Sequence, residues 1–109
     1  MRITRILICA VVFLLLFNAS LVAAELLIFG ADWCPSCHRL TAALSAQPTL
    51  AGNYTVTIFD VEKAPDLAKM YNVTTVPALL VLKNNGAIKR KIGFTTPDNL
   101  KTWLRQVGE

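Results

Sequence analysis

The stretch Leu26-Leu27-Ile28-Phe29-Gly30-Ala31-Asp32-Trp33-Cys34-Pro35-Ser36-Cys37-His38 decides how this chain is read. Its first five residues form a short continuous apolar run, the pattern of a strand buried on both faces. Ala31-Asp32-Trp33 reads as a loop. Cys34 then opens a helix running to about Ala46, with Leu40, Ala43 and Leu44 at helical spacing. Pro35 suits the first turn, where no backbone donor is needed. Two thiols separated by two residues can close a small disulfide ring or reopen it. At a helix N-terminus, free N–H groups and the positive end of the macrodipole favour the thiolate of the first cysteine. The thiolate is the nucleophile of disulfide exchange, so the placement points to a redox catalyst. The same residues also spell Cys-x-x-Cys-His, the attachment pattern for c-type haem.

Upstream of this stretch, the chain reads as an export leader. Arg2 and Arg5 form a basic start, Ile6 to Phe17 an apolar run, and Val22-Ala23-Ala24 a small-residue cleavage site. Cleavage after Ala24 leaves residues 25–109, 85 residues, starting at Glu25. The alternative is an uncleaved anchor, since Asn18 and Ser20 interrupt the apolar run only mildly and a spanning helix needs roughly 20 apolar residues. Loss of the leader removes Cys9 and leaves Cys34 and Cys37 as the two cysteines. It also leaves nine basic residues against seven acidic ones, too weak and scattered a charge to argue for nucleic acid. A structural disulfide is permitted in an exported protein, but a bridge across so short a loop would constrain the unfolded chain little.

Downstream, Tyr54 to Val61 reads as a strand rich in β-branched and aromatic residues. Ala64 to Tyr71 suits a short helix carrying Leu67, Ala68 and Tyr71. Ala78 to Leu82 is a further buried strand, Asn84-Asn85-Gly86 a hairpin turn, and Ala87 to Ile92 the last strand. Pro97 and Asp98 begin a final helix with Leu100, Trp103, Leu104 and Val107 on its apolar face. The order is β-α-β-α-β-β-α in one small α/β domain, with a four-stranded mixed sheet flanked by helices. Lys89-Arg90-Lys91 fits a solvated strand edge, where charge discourages pairing.

With these residues in place, the chain resembles the thioredoxin superfamily. The resemblance rests on Ala31-Asp32-Trp33-Cys34-Pro35-Ser36-Cys37, Thr75-Val76-Pro77, the Lys83-Asn84-Asn85-Gly86 hairpin and Gly93. It implies a thioredoxin fold, expected here in a minimal form because the chain after the leader starts on the first core strand, without the extra N-terminal strand and helix of full thioredoxins. It implies a cis Val76-Pro77 bond lining the substrate groove, Cys34 as attacking thiol and Cys37 as resolving thiol. Trp33, Pro35, Ser36, Val76 and Pro77 become the substrate-contacting set. Position along the helix agrees with these roles, with Cys34 expected nearer the surface and Cys37 one turn in. The partners implied are protein thiols and disulfides, with a membrane electron carrier or another redox partner resetting the pair. The chain is expected to act as a monomer, without cofactor or metal, and in bacteria the resemblance implies the periplasm.

Two positions depart from the family. The buried Asp usual six residues before the first cysteine is Ile28 here, and its Lys partner on the next strand is Ile58. Replacing both charges is coherent as packing, since losing one would strand the other. It also removes the expected proton acceptor for Cys37. Asp32 is a candidate substitute, although an Asp beside Trp33 reads more simply as a solvated loop residue. A c-type cytochrome through Cys34, Cys37 and His38, with Met70 as distal ligand, leaves the strands and Thr75-Val76-Pro77 unexplained. His38 and Met70 then read as a surface residue and as helix packing. Copper or zinc handling by Cys34, Cys37 and His38 lacks a second ligand cluster.

Overall fold

A computed structural model describes residues 24–108 of the chain. Apart from Ala24, the expected leader lies outside the described residues. Four strands and three helices follow in the anticipated order: β1 (Glu25–Gly30), α1 (Pro35–Ala46), β2 (Thr55–Asp60), α2 (Pro65–Met70), β3 (Ala78–Leu82), β4 (Ile88–Ile92) and α3 (Pro97–Val107). The sheet order is β2-β1-β3-β4. β1 runs parallel to β2 and antiparallel to β3, and β4 closes the hairpin antiparallel to β3. This is the mixed four-stranded sheet expected from the order of elements.

Burial explains which strands lie in the middle. β1 and β3 are apolar at successive positions because side chains alternate between two covered faces. On one face Leu26, Ile28, Leu79 and Val81 pack with Leu40 of α1 and with Leu100 and Leu104 of α3. On the other, Leu27, Phe29, Ala78 and Leu80 pack with Ala68 of α2. Phe29 stacks on Phe59, with ring centroids 5.2 Å apart. The helical faces read from spacing are the ones used: Ala43, Leu44, Trp103 and Val107 border the first cluster, and Leu67 and Tyr71 the second.

Helix ends have local causes. Thr96 caps α3, its Oγ1 accepting from the Asn99 N–H at 3.1 Å, and Pro97 occupies the first turn. Gly86 turns the β3–β4 hairpin at φ +89°, a left-handed conformation that glycine adopts without steric cost.

Two apolar expectations are corrected. Ile28 is buried, but Ile58, its register partner on β2, is 52% exposed. β2 is an edge strand among the described residues, so Ile58 has sheet on one side only. The replacement pair is therefore half core and half surface. Met70 ends α2 and is exposed rather than packed. Lys89 and Arg90 are exposed on edge strand β4, as expected of a solvated edge. There the Arg90 guanidinium donates to the Tyr71 carbonyl.

Candidate active site

The site lies at the C-terminal end of β1, where the chain leaves the core and turns into α1. Cys34 is the N-cap of α1, with extended φ and ψ of −96° and 108°. Its N–H donates to the Ala31 carbonyl at 3.1 Å, and its own carbonyl accepts from the His38 N–H at 3.2 Å. Its Sγ takes the place of a capping oxygen, accepting from the Cys37 N–H at 3.2 Å. Pro35 fills the first helical position, and no acidic side chain lies in the first turn to oppose a thiolate. The local electrostatics favour negative charge on the Cys34 sulfur once the bridge opens.

Cys34 and Cys37 are joined in a disulfide, with Cα atoms 5.2 Å apart, an ordinary separation for a bridge. Exposure does not separate the two thiols as expected: they are 4% and 6% exposed. Ala31, Cys34 and Cys37 form one buried cluster, with Val61 and Val76 packed against it, so both thiols are covered. The asymmetry that remains is of position, Cys34 capping the helix from outside and Cys37 inside it.

Val76-Pro77 is cis. Val76 lies against the cysteine pair, Pro77 is fully buried, and the Pro77 carbonyl accepts from the Gly93 N–H at 2.8 Å. Residues about forty positions apart in the chain thus meet at the disulfide.

Two hollows open beside the bridge. A groove of about 350 Å³ is lined by Trp33, Val61, Val73, Thr74, Thr75 and Val76. Trp33 is 66% exposed, so it is not a core aromatic. Its indole N–H donates to Glu62 Oε1 at 2.8 Å, which holds the ring at the groove. Glu62 has no counterpart in the sequence reading, because nothing local links it to a tryptophan 29 positions away. Pro35 and Ser36 adjoin the bridge through the chain but do not line this groove, and the Ser36 Oγ accepts from Arg39 at 3.2 Å.

The second hollow, about 160 Å³, reaches Cys37 past Gly30, with Asp32, His38, Ile58 and Asp60 in its wall. Asp32 and His38 are exposed, as expected, and the His38 Nε2–H donates to the Asp32 carbonyl at 2.5 Å. A larger cleft of about 440 Å³, between residues 49–54 and the end of α3, contains none of these groups. Among the described residues, no three or more His, Cys, Asp or Glu side chains cluster so as to hold a metal ion.

A thioredoxin family model matches residues 16–106, a span that starts inside the expected leader and includes the whole site. The chain belongs to the thioredoxin family. It is 31% identical over 85 residues to thioredoxin of Chlamydia trachomatis, covering 77% of this chain and 83% of that protein. Thioredoxin of Staphylococcus epidermidis is 31% identical over 80 residues, covering 70% of this chain and 74% of its own. Among solved structures, a mutant thioredoxin from Halobacterium salinarum superposes with a TM-score of 0.68 at 27% identity, covering 79% of this chain and 75% of that one. Chloroplastic thioredoxin z gives 0.68 at 24% identity, over 83% of this chain and 82% of its own, a likeness of fold alone. With its Cys34–Cys37 disulfide, this family member is a thiol-disulfide oxidoreductase whose partners are protein thiols and disulfides. No helix of the described residues is long and apolar enough to cross a membrane.

Proposed function

We propose that this thioredoxin-family protein is an exported reductase of protein disulfides, with Cys34 as nucleophile and Cys37 as resolving thiol. One observation carries the reading: disulfide-bonded Cys34 caps a helix with no acid in its first turn, and Val76, which packs on the cysteine cluster, shares an open groove with Trp33. A target segment lies along Trp33 and Val76, beside Pro77, with Pro35 and Ser36 at the rim. Once the bridge is reduced, the Cys34 thiolate attacks the target disulfide. A mixed disulfide forms and one target sulfur leaves as thiolate. Cys37 then displaces the second target sulfur and recloses the bridge. A membrane electron carrier facing the same compartment supplies the next pair of electrons. Export is supported by Arg2, Arg5, the apolar run and Val22-Ala23-Ala24.

The test is reduction of a protein disulfide by the purified protein under a thiol regenerating system. Wild type turns over, Cys34→Ser is inactive, and Cys37→Ser stops at a mixed disulfide isolable by mass spectrometry. A wild type without a reversible dithiol–disulfide couple overturns the reading. Export has its own readout: the chain recovered from the periplasm of a bacterial host begins at Glu25. An uncleaved chain recovered from the cytoplasm refutes it.

A further inference from the structure

The resolving step needs somewhere for the Cys37 proton to go, and the core directly beneath Cys37 offers no base. Ile28 and Gly30 occupy the adjoining positions of β1 on that face, and α1 contributes Leu40. Gly30 comes so close to Cys37 that a Cβ added there would lie 3.3 Å from both the Cβ and the Sγ of Cys37. Its lack of a side chain keeps the small hollow open as far as Cys37.

Asp60 shares that hollow for a reason of register. In the parallel pairing of β1 and β2, Gly30 is aligned with Asp60 and Ile28 with Ile58. Aligned residues of neighbouring strands project to the same face of a sheet, so the Asp60 carboxylate is on the Cys37 side, one strand away. One carboxylate oxygen, Oδ1, accepts from the Glu62 N–H at 2.8 Å. That bond fixes the side chain at the end of β2. The other titratable groups around the hollow are Asp32 from the loop and His38 from α1. The His38 ring is committed to the Asp32 carbonyl, and Asp32 is an exposed residue of the loop before Cys34.

We propose that Asp60 is the proton acceptor for Cys37, standing in for the acid that this chain lacks at Ile28. The inference rests on Cys37 being the resolving thiol. From the mixed disulfide, the Cys37 S–H proton passes to the Asp60 carboxylate through solvent entering the hollow. The freed sulfur electron pair attacks Cys34 Sγ, and a Cys34–Cys37 bond forms. The bond between Cys34 and the target breaks, its electron pair leaving with the target sulfur, which takes a proton from water. Asp60 returns its proton to solvent. The target disulfide gains two electrons in total, and the two cysteines lose two.

Stopped-flow reaction of the reduced full chain with limiting dithiobisnitrobenzoate separates the two steps. The first coloured thiol released reports attack by Cys34, and the second reports resolution by Cys37. Asp60→Asn keeps an acceptor for the Glu62 N–H and removes only the charge and the basicity. The second release slows about tenfold at neutral pH, at the low end of general-base effects. Its pH–rate profile departs from that of wild type, while the first release is unchanged. Asp60→Glu restores part of the rate. Asp32→Asn and His38→Gln keep the wild-type profile. An Asp60→Asn profile superimposable on wild type overturns the inference, as does a shift produced by Asp32→Asn or His38→Gln instead. If wild type shows no second release, the two-cysteine reading itself fails, a result distinct from either.

Discussion

Two hollows flank the Cys34–Cys37 bridge, and their walls are chemically unlike. The groove is walled by Trp33, three valines and two threonines, a surface suited to covering an extended segment of another protein. The hollow behind the bridge is smaller, with Asp32, His38 and Asp60 sharing its wall with Cys37. One side offers apolar contact and a polar-tipped aromatic anchored by Glu62. The other offers polar side chains, two carboxylates and an imidazole. The proposals put recognition on the groove side and proton handling on the Gly30 side, and variants on each side should separate the two.

The largest effect removes the bridge between them. Cys34→Ser abolishes turnover, whereas Cys37→Ser retains the first attack and accumulates the mixed disulfide, measured as covalent adduct on intact-protein mass spectra. If Cys37→Ser turned over normally, the two hollows would not serve one reaction.

Gly30→Val breaks the comparison from the proton side. Its Cβ would lie 3.3 Å from Cys37, and its branched methyl groups would fill the hollow. Overpacking of this kind costs about 1–3 kcal/mol in denaturant unfolding. Resolution by Cys37 should slow more than attack by Cys34. Equal slowing of both steps would mean that the hollow has no separate role.

Trp33→Ala addresses the groove side with little cost in stability, because the ring is largely exposed. Its unfolding free energy should stay within about 0.5 kcal/mol of wild type. kcat/KM for a protein disulfide should fall several-fold, with a smaller change for a small aromatic disulfide. Equal losses on both substrates would remove Trp33 from recognition.

Glu62→Gln is the mildest change. The Gln side-chain oxygen can still accept from the Trp33 indole N–H, so protein-disulfide reduction should change by less than about twofold, in keeping with the small worth of an exposed polar contact. A loss as large as that of Trp33→Ala would show that the charge of Glu62, and not its hydrogen bond, serves the groove.

Much of the fold was legible because its signals are local. The run Leu26 to Gly30, the spacing of Leu40, Ala43 and Leu44, and the Asn84-Asn85-Gly86 turn each describe a preference among chain neighbours. All seven elements begin and end within about two residues of their expected bounds. The site was legible as a cysteine pair at a helix start, and the resemblance supplied Val76-Pro77. The side-chain environments were not. The apolar swap is coherent as packing at Ile28 alone, because Ile58 lies on an edge strand, and Met70 is exposed where its helix ends. Helix position alone puts Cys34 nearer the surface than Cys37, but both are buried in one cluster with Ala31.

The sequence by itself determined the order and type of the elements, the cysteine pair at the head of α1, and the membership such a pattern implies. Periodicity, turn chemistry and capping act over a few residues and need no partner. Only the tertiary structure decided what surrounds the bridge: Val76 against the cysteine cluster, Glu62 holding Trp33, and Asp60 level with Gly30 on the face of Cys37. Those relations depend on strand register and sheet order, which bring together residues some thirty to forty positions apart. No local preference encodes such contacts, because they arise when separate elements bury their apolar faces against one another.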